Sequence, residues 1–306
     1  MDEGQRIAVT GATGFVGRHV VARLTASGHE VVRLSRRTGI DLASPDPAAL
    51  RKALGGCDAA IHCAGINREL GPQTYDAIHV RGTQALVEAA RAAAVGHISV
   101  LSFLRARPDG PTAYHRTKWA AEAIIRDSGI PFTVLKAGVI HGRGDHMLDH
   151  LSHALYSFPI FGLVAMHERP VRPVAVDDVA RILEAAATGD ERLRNRTFAV
   201  VGPDELQLGE AVRRVAQVVG RRPLYVRLPV LAHLALATVS EAAMRVPLIS
   251  VAQVHILAEG VVAAAPAAPP PPPDLVPTIP FSPDVIRDGL PEPGPFRCSD
   301  LRWWPA

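Results

Sequence analysis

The stretch Thr10-Gly11-Ala12-Thr13-Gly14-Phe15-Val16-Gly17 decides the fold of this 306-residue chain. It follows a short apolar run and precedes an amphipathic segment, so it predicts a strand, a glycine turn and a helix. Gly11 permits a tight turn, Gly14 lets a ligand approach the backbone, and Gly17 permits close helix–strand packing. Free N–H groups at the helix N-terminus attract phosphate. The predicted pyrophosphate site consists of Gly11, Thr13, Gly14, Phe15, Val16 and Gly17. The alternative is a glycine-rich turn that binds nothing.

Strands and helices alternate through the first half of the chain. The predicted strands are Arg6 to Thr10, Glu30 to Leu34, Ala59 to Cys63, His97 to Ser102 and Phe132 to Ala137. The predicted helices are 17–26, 47–54, 74–94 and 112–128. This alternation is typical of a parallel sheet covered by helices on both faces, so we predict an α/β, Rossmann-type doubly wound sheet in residues 1–144.

The pattern loosens in residues 145–306, where we expect a smaller, mostly helical substrate lobe. Helices are predicted at 145–155, 177–187, 206–219 and 230–260. A strand is predicted near Thr197 to Val201, and segments around 171–201 are expected to return to the sheet. The proline-dense run Pro266 to Pro273 is interpreted as a linker. The tail 277–306 is expected to pack on the body through its apolar residues Phe281, Leu290, Phe296, Trp303 and Trp304.

The end of the second predicted strand bears on the choice of dinucleotide. An acidic residue there typically accepts the ribose 2′-hydroxyl of NAD, whereas arginine accommodates the 2′-phosphate of NADP. This strand ends in Leu34-Ser35-Arg36-Arg37, without an acid. We therefore expect NADP(H), with NAD(H) still possible because Arg36 and Arg37 are also ordinary surface residues. Asp41 and Leu42 follow and are candidates to contact the adenine.

Tyr114 and Lys118 are four residues apart on a predicted helix and so lie on one face. An ammonium group near a phenol favours the phenolate, and such a tyrosine can exchange a proton with a hydroxyl or carbonyl substrate. The chain has only two other lysines, Lys52 and Lys136, which makes this placement informative. Ser99 and Ser102 are candidates to hold the substrate oxygen. The alternatives are a surface pair for the helix and backbone-capping hydroxyls for the serines.

Bulk composition excludes several classes of protein. The net charge is +3 without a dense basic block, and aromatic residues make up 5%, which argues against a nucleic-acid partner. We predict a cytoplasmic protein without a transmembrane segment. The three cysteines are scattered, the N-terminus leads straight into a predicted strand, and no uncharged apolar run is long enough to span a bilayer. An oligomer is possible. Peripheral membrane association through residues 224–265 is a weaker hypothesis.

Together these motifs resemble the extended and atypical short-chain dehydrogenase/reductase superfamily, which contains NAD(P)-dependent epimerases and dehydratases. Asp58 to Gly65 is similar to its third-strand motif, Tyr114 to Lys118 to its active-site motif, and Val174 to Ala180 to its segment returning to the sheet. The stretch Pro247 to Leu257 and the Phe281 tail look most like the branch of the complex I 39 kDa subunit. The resemblance implies further cofactor contacts from Cys63, Ala64, Gly65, Tyr114, Lys118, Ala137 and Val139.

The chain also departs from that family. His79 stands where the family usually has asparagine, Leu101 where it usually has the catalytic serine, and Lys136-Ala137 where it has Arg-Pro. Two hypotheses follow: an oxidoreductase or epimerase/dehydratase acting on a small-molecule hydroxyl or carbonyl carbon, or a non-catalytic NADPH-binding sensor or assembly protein. His146, His150 and His153 have helical spacing, and we expect them to form a polar face near the substrate without a metal; the alternative is a divalent transition-metal site on this helix face.

Overall fold

The computed structural model describes residues 4–244, 247 and 249–303. It forms two compact units. The first runs from the N-terminus to Ala137 and includes Val176–Val200 and Ala263–Pro277. The second comprises Gly138–Ala175, Val201–Val262 and the chain from Thr278 onward. The units thus separate at Ala137, seven residues before the boundary we expected at 144, and the proline-rich segment belongs with the first unit.

The described residues contain twelve strands and ten α-helices, which are numbered in chain order. The strands are β1 (Arg6–Thr10), β2 (Glu30–Leu34), β3 (Ala59–His62), β4 (His97–Phe103), β5 (Phe132–Ala137), β6 (Ile140–His141), β7 (Ile160–Val164), β8 (Pro170–Val171), β9 (Val174–Ala175), β10 (Arg196–Val200), β11 (Leu206–Gln207) and β12 (Leu224–Leu228). The helices are α1 (Phe15–Ala26), α2 (Pro47–Leu54), α3 (Gly82–Ala92), α4 (Ala113–Arg126), α5 (His146–Ser157), α6 (Val176–Ala187), α7 (Leu208–Val219), α8 (Val230–Ala243), α9 (Val251–Glu259) and α10 (Pro283–Gly289). A π-helical turn, Asp76–Arg81, leads into α3.

The first unit contains a six-stranded parallel sheet in the order β10-β5-β4-β3-β1-β2. The chain leaves β1 towards β2 and then returns to place β3 on the other side of β1. This reversal is the topological switch point at which doubly wound sheets bind ligands, outside the carboxyl ends of the strands. The predicted fold class is confirmed, and the glycine turn lies at this switch point because it directly follows β1.

Local sequence explains where several helices begin. Asp46 caps α2 by accepting from the Ala48 and Ala49 N–H groups, and Pro47 occupies the first helical position. Thr112 caps α4 in the same way by accepting from the His115 N–H. The cap therefore sets the start of the helix whose first two turns carry Tyr114 and Lys118.

The proline-rich segment is not a free linker, so that interpretation is wrong. The N–H of Ala199 on the edge strand β10 donates to the Pro269 carbonyl (2.8 Å), and the Ala265 N–H donates to the Leu104 carbonyl (3.0 Å). Proline has no N–H of its own but keeps its carbonyl acceptor, so a proline segment can cover the exposed edge of a sheet. The segment therefore protects β10.

Two predictions in the C-terminal half are corrected. The helix predicted over 230–260 is two helices: α8 ends at Ala243, and α9 starts behind a capping box formed by Ser250 and Gln253. Of the tail residues, Phe281 is buried with its ring centroid 4.8 Å from that of His141, but Trp303 is 67% exposed. Trp304 lies outside the described residues.

The second unit has its own core, built mainly from α5, α7 and α10. Its buried members include Leu148, Leu155, Val215, Phe281 and Ile286. Three two-stranded pairs, β11–β8, β12–β7 and β6–β9, complete it. Across the residues that the structure describes, no helix is both long enough and apolar enough to cross a membrane.

Candidate active site

The glycine turn after β1 is built so tightly that side chains are excluded from it. Gly11 has φ +64°, and a Cβ placed on it would lie 2.8 Å from the Ala64 nitrogen. A Cβ on Gly17 would collide with the Gly11 carbonyl, and one on Gly14 would lie 3.1 Å from the same oxygen. The Gly14 N–H donates to the Gly11 carbonyl at 2.8 Å, which closes the turn. The three glycines therefore keep the backbone exposed at the start of α1.

The N-terminus of α1 can hold an anion. Gly14 is its N-cap and, as a glycine, has no side chain to occupy the first N–H groups. The first turn contains no acidic residue, so nothing in it neutralises the partial positive charge of the helix end. Thr13 and Gly14 are exposed, and Phe15 and Val16 are half-buried. An exposed helix end of this kind, without a competing carboxylate, suits a phosphate group.

The loop after β3 lies directly against the glycine turn. The Cys63 N–H donates to the Thr10 carbonyl (3.3 Å), and the Ala64 N–H donates to the Thr10 hydroxyl (3.3 Å). Gly65 is exposed at the end of this loop. The structure thus brings together the two segments, Gly11 to Gly17 and Cys63 to Gly65, that we expected to share one cofactor.

The segment after β2 carries exposed positive charge. Arg36 and Arg37 are exposed on a single 3-10 turn, and within the described residues no acidic side chain forms an ion pair with either. Asp41 has a local role, because its Oδ1 accepts from the Ala43 N–H (2.9 Å). Leu42 is 6% exposed and packs under Gly82, so it belongs to the core.

Tyr114 and Lys118 occupy successive turns of α4, as the spacing predicts. The Lys118 Nζ donates to the Leu101 carbonyl (3.0 Å) at the end of β4. It also lies beside the β3 loop, because a Cβ on Gly65 would be 3.1 Å from Nζ. The Tyr114 ring lies among Tyr75, His79 and Phe103, with centroid distances of 5.4 to 5.8 Å.

Burial controls the ionisation of both groups. It raises the pKa of Tyr114 well above its ordinary value, which is opposite to the lowering that we expected from Lys118, so the phenol stays protonated at neutral pH. It lowers the pKa of Lys118 to about 8, against the opposing effects of Cys63 and Glu122. Lys118 is therefore mostly charged near neutral pH, yet close enough to its pKa to exchange a proton.

The structure does not bring either candidate serine to this site. The Ser102 hydroxyl is buried and donates to the Glu122 carboxylate. Ser99 is fully buried within β4, and its Oγ has no hydrogen-bond partner among the described residues. A hydroxyl that holds a substrate oxygen must be reachable, and these two are not. Leu101, between them, contributes only its carbonyl, to Lys118.

Ser102 belongs to a buried ionic cluster that sequence analysis missed. The Glu122 carboxylate pairs with Arg126 and lies 3.3 Å from the Lys136 Nζ. Lys136 also donates to the carbonyls of Ala106 (2.6 Å) and Ala265 (3.0 Å). The signal was a lysine in an otherwise apolar strand, since a buried lysine needs a partner. The cluster ties α4 to β5 and to the proline-rich segment.

The remaining predicted cofactor contacts lie at the end of β5. Ala137 is the last residue of that strand and is 2% exposed; its carbonyl accepts from the Leu104 N–H (2.7 Å). Val139 belongs to the second unit, where its carbonyl accepts from the Val174 N–H (2.9 Å). Contact of either residue with a cofactor stays a prediction.

The histidines of α5 are engaged within the second unit. His153 lies 3.6 Å from the Asp149 carboxylate, and its Nδ1 bonds the Gly294 carbonyl (2.6 Å). The His146 and His150 ring centroids are 6.1 Å apart. Among the side chains that the structure describes, no three histidine, cysteine or acidic groups are placed to hold a metal ion.

The family model of the NAD dependent epimerase/dehydratase family matches residues 7–202, which span the glycine turn, the β3 loop and the Tyr/Lys pair. The chain belongs to this family. The family model and two similar reductases class it with the NAD(P)-dependent oxidoreductases and epimerases.

Similar proteins include two reductases. The chain is 29% identical over 235 residues to a ceramide reductase of Caulobacter vibrioides, covering 73% of each. It is 31% identical over 227 residues to the (4-alkanoyl-5-oxo-2,5-dihydrofuran-3-yl)methyl phosphate reductase of Streptomyces griseus, covering 70% of this chain and 74% of that one. It spans only 24% of an uncharacterized Mycobacterium tuberculosis relative.

The predicted branch is confirmed by mouse NADH dehydrogenase [ubiquinone] 1 alpha subcomplex subunit 9, which is 26% identical over 225 residues, covering 68% of this chain and 59% of that one. The fold matches the UDP-N-acetylglucosamine 4-epimerase of Bacillus cereus with a TM-score of 0.61, 21% identity and coverage of 74% and 86%. The structural likeness concerns the fold alone.

Proposed function

We propose that the protein is an NADP(H)-dependent reductase of a carbonyl carbon, with Tyr114 as the proton donor and Lys118 as the group that orients the nicotinamide ribose. The observation that carries this proposal is the position of Lys118. Its Nζ lies against Gly65 in the loop that packs on the glycine turn, one helical turn from Tyr114. The chain's two sequence signatures therefore meet at one place in the first unit.

The protonated phenol suits Tyr114 to donate a proton during reduction. Reduced nicotinamide, when bound, supplies a hydride to the carbonyl carbon. Tyr114 holds the proton that the carbonyl oxygen then needs, because burial keeps the phenol protonated. In this proposal Lys118, one helical turn from Tyr114 and with a pKa of about 8, returns a proton to the tyrosinate left after transfer. The names of the two similar reductases support this direction.

The side chains around Tyr114 favour an apolar substrate near the reacting carbon. Phe103 and Tyr75 flank the phenol, and Leu101 stands where related enzymes place a polar serine. The substrate oxygen is therefore held by Tyr114 itself, without a serine hydroxyl.

The arginines after β2 support NADP(H) as the cofactor. Arg36 and Arg37 are exposed beside the switch point and are not engaged in ion pairs among the described residues. A guanidinium group binds a phosphate through two parallel hydrogen bonds, and no acid stands there to accept the 2′-hydroxyl of NAD.

Tyr114→Phe is the direct test. With a panel of aldehydes, ketones, nucleotide sugars, steroids and quinones, we expect the wild type to consume NADPH and Tyr114→Phe to lose about 10²-fold or more in kcat. The dissociation constant of NADPH should stay within about threefold, because the phenol is not part of the phosphate cradle. Tyr75→Phe, which removes a neighbouring hydroxyl and keeps the ring, is the control. Full activity in Tyr114→Phe would overturn the assignment.

A second candidate is a non-catalytic NADPH-binding sensor or assembly protein. The observation that favours it is the burial of Ser99 and Ser102 together with Leu101 at the family's serine position. Tight NADPH binding with no consumption by the wild type on the whole panel would support it against the reductase.

A further inference from the structure

A chain of buried side-chain hydrogen bonds joins the glycine turn to the Tyr/Lys helix. It runs from Thr10 at the end of β1 through His62, Thr83 and His79 to Thr117 on α4. The distances are 2.7 Å (Thr10 Oγ1 to His62 Nδ1), 3.0 Å (His62 Nε2 to Thr83 Oγ1), 2.6 Å (Thr83 Oγ1 to the His79 carbonyl) and 3.0 Å (His79 Nδ1 to Thr117 Oγ1). Four of the five side chains are at most 2% exposed, and Thr117 is half-buried.

The donors and acceptors at the first end fix the tautomer of His62. The Thr83 hydroxyl donates to the His79 carbonyl, so it can only accept from His62 Nε2. His62 therefore carries its hydrogen on Nε2, and its Nδ1 accepts from the Thr10 hydroxyl. The ring is neutral, since burial lowers the pKa of His62 to about 3.

The same logic fixes His79 in the opposite tautomer. Its Nε2 accepts from the Ile66 backbone N–H (3.1 Å), so Nε2 carries no hydrogen. Its Nδ1 then donates to the Thr117 hydroxyl, which in turn donates a hydrogen bond to the Ala113 carbonyl (2.7 Å). Burial and the nearby Lys118 charge both lower the pKa of His79 well below its ordinary value. Protonation of His79 at Nε2 would remove the acceptor of the hydrogen bond from the Ile66 N–H.

His79 thus contacts each part of the proposed reaction centre. Through Ile66 it holds the end of the β3 loop, in which Gly65 packs against Lys118. Through Thr117 it holds the helix residue next to Lys118. Its ring meets the Tyr114 ring edge-on, with centroids 5.7 Å apart and an interplanar angle of 73°.

We propose that His79, as the Nδ1–H tautomer, is a positioning residue that sets Lys118 and Tyr114 against the cofactor loop. This inference rests on the proposed function of that pair. The imidazole suits the task because its acceptor and donor lie on opposite sides of a rigid ring, so it bridges Ile66 and Thr117 at once. An asparagine, which the family resemblance leads one to expect here, carries both groups on one carbon of a shorter side chain.

The first measurement needs no variant and no substrate. Nitrogen-15 and proton NMR of the labelled chain report which ring nitrogen of each histidine bears hydrogen. We expect a neutral His79 with hydrogen on Nδ1 and a neutral His62 with hydrogen on Nε2. Hydrogen on Nε2 of His79, or a charged His79 ring at neutral pH, would overturn the proposal even if the enzyme is active.

The second measurement follows Lys118 itself, which is practical because the chain has three lysines. Labelling the lysines with carbon-13 and nitrogen-15 during expression allows the titration of Lys118 to be read beside exposed Lys52. In His79→Asn and Thr117→Val we expect the Lys118 midpoint to move from near 8 and kcat to fall about tenfold, with the NADPH dissociation constant within about threefold.

His97→Gln is the matched control, because His97 is also a buried histidine bonded to a threonine hydroxyl, that of Thr133 (3.1 Å), but at the opposite end of β4. It should leave the Lys118 midpoint unchanged. An unchanged Lys118 midpoint and kcat in His79→Asn would refute the positioning role. If the wild type turns over no substrate, the proposed function fails, while the tautomer and the Lys118 titration still decide this inference.

Discussion

Gly17→Ala is the perturbation with the largest expected effect on cofactor binding. Gly17 is the third residue of α1, where helix propensity alone makes alanine more stable than glycine by about 1 kcal/mol. The structure predicts the opposite sign, because the new Cβ would collide with the Gly11 carbonyl, and both atoms belong to the backbone. Overpacking of this kind costs about 1–3 kcal/mol, and the turn must open to relieve it.

Two further alanine variants calibrate the result. Gly14→Ala places its Cβ 3.1 Å from the same carbonyl, a milder contact. Gly28→Ala, just beyond α1, meets nothing within 4 Å but strains a backbone at φ +85°, so it shows the effect of lost stability away from the turn. By calorimetry with NADPH, we expect Gly17→Ala to weaken binding by at least about tenfold, or ~1.4 kcal/mol. Gly14→Ala should weaken it less, and Gly28→Ala not at all. Unchanged NADPH affinity and melting temperature in Gly17→Ala would refute this account of the turn.

Three further predictions address selectivity, stability and pH. Changing Arg36 and Arg37 to serine should weaken NADP binding by about tenfold or more and leave NAD binding nearly unchanged; equal losses for both dinucleotides in calorimetry would contradict the proposed 2′-phosphate contact. Glu122→Gln leaves the Lys136 cation buried without its carboxylate partner. Urea denaturation should therefore show a loss of about 3 kcal/mol in the free energy of unfolding. An unchanged denaturation midpoint would show that the buried ionic cluster adds no stability. Burial lowers the pKa of His62 from 6.5 to about 3. Between pH 6.5 and pH 3 the unfolded chain therefore binds a proton that the folded chain does not, so the free energy of unfolding should fall as the pH drops through this range. His62→Gln should flatten this pH dependence, and an equally steep fall in the variant would assign the effect to other groups.

The fold of the first half was predictable because its signals are local. Gly11 to Gly17 follows a run of β-branched and small apolar residues, and Asp46 and Pro47 mark the start of a helix in the sequence itself. The doubly wound class of the sheet followed from the alternation of strands and helices and from the glycine motif, which occurs at the switch point of such sheets.

One failed prediction depends on a contact between distant residues. Pro266 to Pro273 has the composition of a linker, and only the pairing of Pro269 with Ala199 shows that it covers a sheet edge. The break in the apolar run through 230–260 had local signals that apolar periodicity alone passes over. These signals are Pro247 and the capping box of Ser250 and Gln253 at the start of α9.

The candidate site was predictable in its motifs and not in its hydrogen bonds. The Tyr114–Lys118 spacing placed both residues on one helix face. The roles suggested for Ser99 and Ser102 depended on which of them was reachable, and Glu122 decides that for Ser102. The sequence marked His79 only because the family usually has asparagine at this position. Its hydrogen-bond partners Ile66 and Thr117 lie 13 and 38 residues away along the chain, so the sequence did not indicate them.

The central claim is that backbone amides at the β1–α1 junction bind the diphosphate of NADP(H). Its most direct test is titration calorimetry of the unmodified protein with NADP and with NAD, paired with thermal melting. We expect heat of binding for both, a smaller dissociation constant for NADP, and stabilisation of about 2.7 kcal/mol at a ligand concentration 100 times that constant. The absence of both heat and thermal stabilisation with either dinucleotide would contradict the proposed site and the function built on it.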